Sequence, residues 1–292
     1  MPHSDTLSPL FLTTKEVADL LRVKERKVYD LAAAEQIPHR RITGKLLFPA
    51  NEIRAWIDGS GEQYSPDRPG VLAGSHDPLL DWALRASGCG LATLCNGSRD
   101  GLAQFKAGTA ALAGIHLPEK DEWNIASVEE LGLTNAVLIA WAVRKRGLLV
   151  SEELAGTIRT IADLKGKRVA MRQPGAGTAV LFASLIKEAG LSERDLTCSD
   201  DFAHTESDAA AAVASGEADA SLGLEAMAKQ FKLVFVPLAD ENFDLLIDRK
   251  SYFTEPVQKL FAYARTREFQ DKAVSLGGYE LTPLGSVRWL SA

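Results

Sequence analysis

Between residues 11 and 57, apolar positions recur at the spacing of short amphipathic helices. Val17, Leu20 and Leu21 share one face of a first helix, and Val28 and Leu31 share one face of a second. Thr13-Thr14-Lys15-Glu16 opens the first as a capping box. A tight turn joins the two. Beyond them, Ile37–Ile42 and Lys45–Phe48 flank Thr43-Gly44, which predicts a short β-hairpin. Pro49–Ile57 predicts a closing helix that packs Ile53, Trp56 and Ile57 inward.

Residues 1–10 read as a polar, mobile tail. Residues 58–70 are rich in Gly, Ser and Pro and read as a linker. From Val71 onward, short apolar strands alternate with helical segments. Val71-Leu72-Ala73 precedes Pro78–Ala86, and Gly90–Thr93 precedes Arg99–Lys106. Arg168–Met171 precedes Thr178–Ala189, and Ala218–Leu222 precedes Glu225–Phe231. Leu233–Val236 and Leu245–Ile247 follow as further strands. Asn135–Val143 reads as a buried strand interrupted by Arg144-Lys145-Arg146. The alternation predicts an α/β domain with a mostly parallel sheet and helices on its faces.

The chain has 292 residues, enough for two or three compact units, and its net charge of −6 argues by itself against nucleic acid. The charge is uneven, however. Residues 10–57 carry nine Lys/Arg against six Asp/Glu, so a mildly basic head is joined to an acidic body. Cys89, Cys95 and Cys198 cannot all pair and form no CxxC, so they read as reduced thiols. No basic-then-apolar leader and no apolar run of membrane-spanning length is present, so a cytoplasmic location is expected.

The head resembles the excisionase/MerR-like winged helix-turn-helix family. The likeness rests on Leu12–Leu21, Val28-Tyr29, Ile37-Pro38, Gly44, Phe48-Pro49 and Glu52-Ile53 with Trp56, and covers residues 11–57. It implies a second helix in the major groove and a wing against the backbone or minor groove. Carried onto this chain, Thr14, Lys24, Arg26, Lys27 and Tyr29 would face double-stranded DNA, with Arg40, Arg41 and Lys45 on the wing. Long cationic side chains there favour phosphate contacts. One head covers a small footprint, so a homodimer on an inverted repeat is expected.

Three places in the body put small polar residues at the start of a helix after a strand. They are Gly74-Ser75-His76-Asp77-Pro78, Asn96-Gly97-Ser98-Arg99-Asp100-Gly101, and Arg172-Gln173-Pro174-Gly175-Ala176-Gly177-Thr178. Helix N-termini expose unpaired N–H groups and carry partial positive charge, so several converging ends make a site for a small anion. The third stretch is neither a P-loop nor a dinucleotide fingerprint.

The body resembles the periplasmic-binding-protein-like domain found fused to helix-turn-helix regulators, whose relatives include molybdate-type receptors. The likeness covers about residues 71–290. The carrying stretches are the three turns with Leu72–Leu80, Leu102, Gly108, Ala113–Leu117, Ala209–Val213 and Gly216–Ala220. It implies two lobes, about 71–160 plus 243–292 and about 161–242, with a solute in the cleft between them. Ser75, Ser98, Thr178 and the backbone of Gly175, Ala176 and Gly177 supply neutral donors, which suit molybdate or tungstate. Arg172 also suits a small organic acid. His76, Asp77, Arg99, His116, Glu225 and Tyr279 complete the candidate ligand-binding set.

No nucleophile elbow, no Cys/His pairing of known context and no metal-ligand spacing is present, so neither catalysis nor a cofactor or metal is expected. The expectation is a DNA-binding transcriptional regulator with a bilobed anion sensor. The alternatives are the same architecture sensing an organic acid, an excisionase-type architectural protein, or an enzyme of molybdenum-cofactor metabolism with a borrowed head.

Overall fold

The computed structural model describes residues 10–34, 36–42, 44–60, 67–120, 122–198 and 201–291. Thr43, residues 1–9 and residues 61–66 lie outside them; the sequence assigns these to the wing turn, the tail and the linker. The chain divides into two compact units, Met1–Pro66 and Asp67–Ala292.

The first unit runs β1 (Phe11–Thr13), α1 (Thr14–Leu21), α2 (Glu25–Ala33), β2 (Arg40–Ile42), β3 (Lys45–Pro49) and α3 (Ala50–Ser60). The capping box starts α1 as expected. The Glu16 carboxylate accepts the Thr13 N–H at 2.7 Å, and the Thr13 hydroxyl accepts the Glu16 N–H at 3.3 Å. Arg22, in the left-handed region at φ 54°, ends α1 and turns the chain into α2. Val17, Ala18, Val28, Ala32, Ile37, Phe48 and Ile53 form the core, with Trp56 and Ile57 packed against it. β3 pairs antiparallel with both β1 and β2. β1 carries little sequence signal, being three residues long with only Leu12 turned inward. α3 runs on to Ser60, three residues beyond the sequence reading.

The second unit runs β4 (Val71–Gly74), α4 (Pro78–Ser87), β5 (Ala92–Leu94), α5 (Ser98–Lys106), β6 (Leu112–Ile115), α6 (Ile125–Glu129) and β7 (Ala136–Val150). It continues with β8 (Arg168–Ala170), α7 (Gly177–Glu188), β9 (Thr197–Cys198), α8 (Glu206–Ala214), β10 (Ala220–Leu224), α9 (Glu225–Phe231) and β11 (Val234–Asp248). α10 (Arg249–Tyr252), α11 (Glu255–Ala264), α12 (Arg267–Leu276), β12 (Tyr279–Glu280) and β13 (Val287–Leu290) close it. The sheet order is β5-β4-β6-β11-β7-β10-β8-β9, with β12 and β13 also on β7.

The sheet is mixed rather than mostly parallel. β4 is parallel to β5 and β6, and β8 to β9 and β10, while every pairing of β7 and β11 is antiparallel. Arg144-Lys145-Arg146 does not interrupt β7, and the two strands expected at 233–236 and 245–247 are one strand, β11. β7 and β11 pair along their length, with register shifts between Pro237 and Ala239 and between Phe243 and Asp244. The core is correspondingly divided. Side chains of β4, β6, α4, α11 and α12 gather around Trp141 and Phe243, whereas those of β8, α7 and β10 gather around Leu148 and Phe182. The long strand pair is the seam between the two halves.

Candidate functional site

The seam brings charged side chains into the interior. In a strand, residues two apart face the same side. Arg144 and Arg146 therefore share one face of β7, and both are 0% exposed, while Lys145 turns outward to Asp240. Glu241 of β11 is also fully buried and accepts from both arginines: the Arg146 Nε and Nη2 donate to it at 3.0 and 2.6 Å, and the Arg144 Nη2 donates as well.

Each of the three strand-following turns reaches this pair of strands or its partners. Asp77 caps α4, where its Oδ1 accepts the Leu80 N–H at 2.7 Å, with Pro78 at the first helical position. Its Oδ2 accepts from Arg144 Nη1 at 2.9 Å and from the Tyr279 hydroxyl at 2.7 Å. In the second turn the Ser98 hydroxyl lies 2.7 Å from that of Ser75 and accepts the His116 N–H at 3.1 Å. In the third turn Thr178 donates to Glu206 Oε1 at 3.0 Å, and Arg172 Nη1 donates to the same oxygen at 2.8 Å. Arg146 Nη1 closes the circuit onto both Glu206 oxygens at 3.0 and 2.9 Å.

The second and third turns also touch directly. The Arg99 N–H donates to the Gly175 carbonyl at 3.4 Å, and Gln173 Nε2 donates to the Asn96 carbonyl at 3.0 Å. Two glycines make the approach possible. A Cβ on Gly177 would sit 2.3 Å from the His116 carbonyl oxygen, and one on Gly97, at φ +103°, would sit 3.2 Å from the Ala176 Cα. The turns therefore meet across the seam.

Three guanidinium groups (Arg144, Arg146, Arg172) face three carboxylates (Asp77, Glu206, Glu241) in the buried interior. Burial pushes the Glu206 carboxyl up, but Arg146 and Arg172 outweigh it and pull it down to about 2. Glu241 is likewise held well below the usual range: burial opposes ionisation, and Arg144 and Arg146 overcome it. Burial lowers the His116 imidazole, against the pull of the Glu241 carboxylate 3.1 Å from its Nδ1, so the ring is neutral at pH 7. Burial and the neighbouring Asp77 carboxylate hold Tyr279 well above its ordinary value, as a hydroxyl donor. The cluster carries no net formal charge, and the groups not committed to ion pairs are neutral: the Ser75–Ser98 hydroxyl pair and the remaining first-turn N–H groups of α5 and α7, since α4 opens with Pro78 and its Leu80 N–H is held by Asp77.

Of the residues singled out from sequence, Ser75, Asp77, Ser98, His116, Arg172, Thr178 and Tyr279 come together here, with Gly175, Ala176 and Gly177 at the contact between turns. Arg99 is exposed and its side chain lies outside the cluster. Glu225 packs beside the Gly277-Gly278 turn and makes no hydrogen bond to the cluster. His76 does not join His116; its Nδ1 is buried without a partner. The sequence reading missed Arg144, Arg146, Glu206 and Glu241. For the arginines a signal existed, namely two cations at strand spacing inside an otherwise apolar run.

In the first unit, Lys24, Arg26, Lys27 and Tyr29 are exposed on α2, and Arg40, Arg41 and Lys45 are exposed on the β2–β3 hairpin. Arg40 is shared with Glu52 at 2.8 Å. Thr14 is buried, which removes it from the surface these residues share.

A family model described as PBP superfamily domain matches residues 82–265. The chain belongs to that superfamily. Residues 11–60 match a family model described as helix-turn-helix domain, so a DNA-binding head is fused to a periplasmic-binding-protein-like domain. The uncharacterized protein YvgK of Bacillus subtilis (strain 168) is 25% identical over 300 residues, covering 94% of this chain and 96% of that protein. Among solved structures, a phosphate-bound transporter substrate-binding protein from Clostridium perfringens is 13% identical at a TM-score of 0.48, over 70% of this chain and 96% of that one. PhnD1 from Prochlorococcus marinus, in complex with methylphosphonate, is 13% identical at a TM-score of 0.49, over 74% of this chain and 92% of that one. Both domain types are binding modules. Among the described residues, no group of three His, Cys, Asp or Glu is placed to hold a metal ion, and no helix is long and apolar enough to cross a membrane.

Proposed function

We propose that this protein is a cytoplasmic one-component transcriptional regulator. Its head binds operator DNA as part of a homodimer, through α2 and the β2–β3 wing. Its second unit acts as two lobes hinged at β7 and β11 and senses a small oxyanion, with molybdate or tungstate the favoured solutes. The observation that carries the ligand class is that each of the three buried guanidinium groups is already ion-paired to a carboxylate of the cluster. Recognition then falls to hydroxyls and helix N-termini, which suit a fully ionised anion. The organic-acid reading needs a free Arg172 fork. Its Nε, Nη1 and Nη2 are spent on the Ala203 carbonyl, Glu206 and the His204 carbonyl.

A thermal-shift panel of oxyanions and carboxylates tests this reading. A ligand at a hundred times its Kd stabilises by about 2.7 kcal/mol, or roughly 5–11 °C for a unit of this size. Molybdate or tungstate is expected to produce that shift, and Ser75→Ala with Ser98→Ala to abolish it. A shift from carboxylates alone, or from none of the panel, refutes the oxyanion assignment. Removing residues 1–66 is expected to abolish DNA retention and leave the thermal shift intact.

A further inference from the structure

Arg99 lines a groove of about 460 Å³ on the outside of the seam, within the size range of small-molecule pockets. One wall is the face of α5 that carries Arg99, Leu102, Ala103 and Lys106, spaced so that all four fall on one stripe. Leu102 and Leu117 are 7% and 4% exposed and form an apolar floor. Val180 of α7 lines the groove from the other half of the sheet. Among the described residues, the side chain of neither Arg99 nor Lys106 makes a hydrogen bond or ion pair, so both cations are available. With Glu130 on the opposite wall, the lining carries one net positive charge.

We propose that this groove is a second effector site, for a medium-chain carboxylate. The single negative charge matches the net charge of the lining. The head belongs at Arg99 rather than at Lys106. Arg99 lies in the first turn of α5, where the helix dipole adds positive potential, and its fork takes a carboxylate through two bonds. The alkyl body then follows α5 over Leu102 and Leu117 for the distance between residues 99 and 106, about 10 Å. An occupant that touches both Leu102 and Val180 is in contact with both halves. It therefore favours the arrangement in which Arg99 N–H meets the Gly175 carbonyl, and anything that favours that arrangement tightens the groove in return.

Isothermal titration of the full-length protein with nonanoate below its micellar concentration tests the assignment. Saturable one-to-one binding is expected, with nonanol and acetate each at least tenfold weaker because one lacks the charge and the other the chain. Arg99→Glu and, separately, Val180→Asp each weaken nonanoate at least tenfold, while melting stays within about 2 °C of the parent protein. Saturating molybdate does not displace nonanoate, which separates this groove from the oxyanion site. Absence of saturable heat, or an unchanged affinity in both folded variants, overturns the proposal.

Discussion

Replacing Glu206 by Gln removes one negative charge from the buried cluster while keeping its shape. Glu206 is 1% exposed and accepts two bonds from Arg146, one from Arg172 and one from Thr178. Two routes give the cost. The carboxyl falls from 4.5 to about 2 in the folded protein, which at about 1.4 kcal/mol per unit is worth about 3 kcal/mol above pH 4.5. Leaving one side of a buried ion pair without its partner costs about 3–5 kcal/mol. The two agree, and for the 226 residues of Asp67–Ala292 they correspond to a fall of roughly 6–20 °C in Tm. Scanning calorimetry at pH 7 measures it. The pH dependence supplies a second check. A depressed carboxyl stabilises above its unfolded value and loses that contribution as pH falls through its folded value. The gap between parent and variant is therefore expected to narrow as pH falls from 4.5 towards 2. Glu206→Leu combined with Arg146→Met, which removes charge from both sides, should recover part of the loss. A Tm within 2 °C of the parent at pH 7, with native circular dichroism, refutes the view that this carboxylate holds the guanidinium groups in place.

Gly177→Val should hold the two halves apart, because its Cβ position lies 2.3 Å from the His116 carbonyl oxygen; small-angle scattering is expected to show a larger radius of gyration, and an unchanged curve counts against closure at this contact. Asp244 is raised from 3.8 to about 6, chiefly by burial, so its contribution favours folding below about pH 4 and is lost as pH rises through 6. Asp244→Asn is therefore expected to raise the urea midpoint at pH 7 by the equivalent of about 1–3 kcal/mol and leave it little changed at pH 4. Thr13→Ala removes half of the capping box and should cost about 1 kcal/mol in the isolated head, read by thermal melting. Lys24→Ala with Lys27→Ala should lower the salt dependence of DNA binding by about two phosphate contacts, measured by fluorescence anisotropy across a salt series.

The head was legible from sequence because its signals are local: a capping box within four residues, and apolar stripes at helical spacing. β1 was not, since its meaning comes only from pairing with β3. In the body, the strand–turn–helix junctions announced themselves through Gly, Ser and an N-capping Asp, and those turns do meet. The seam did not announce itself. Arg144-Lys145-Arg146 looks like the end of an apolar run, and Asp240-Glu241-Asn242 looks like a gap between two strands. Each is the middle of a long strand. Their polarity is accounted for by partners 95 and 97 residues away along the chain, and no local pattern reports a partner at that distance. The same blindness affects Arg172 and Thr178. Their types suggested free donors, whereas Glu206, 34 and 28 residues further on, already occupies them.

The divided core also fixes an order of assembly during synthesis. The buried residues clustered with Leu148 and Phe182 run from Leu148 to Leu222 in one unbroken stretch of chain, with Trp123, Val236 and Leu238 among the side chains packed against them from outside it. The other half needs β11, α11, α12 and, near the very end, Trp289 before its interior is complete. A ribosome therefore delivers a whole interior for the later stretch while β4 and β6 still wait for their antiparallel neighbour. The apolar strands made first are the last to be covered, and over that interval they are the part of the nascent protein most in need of a chaperone.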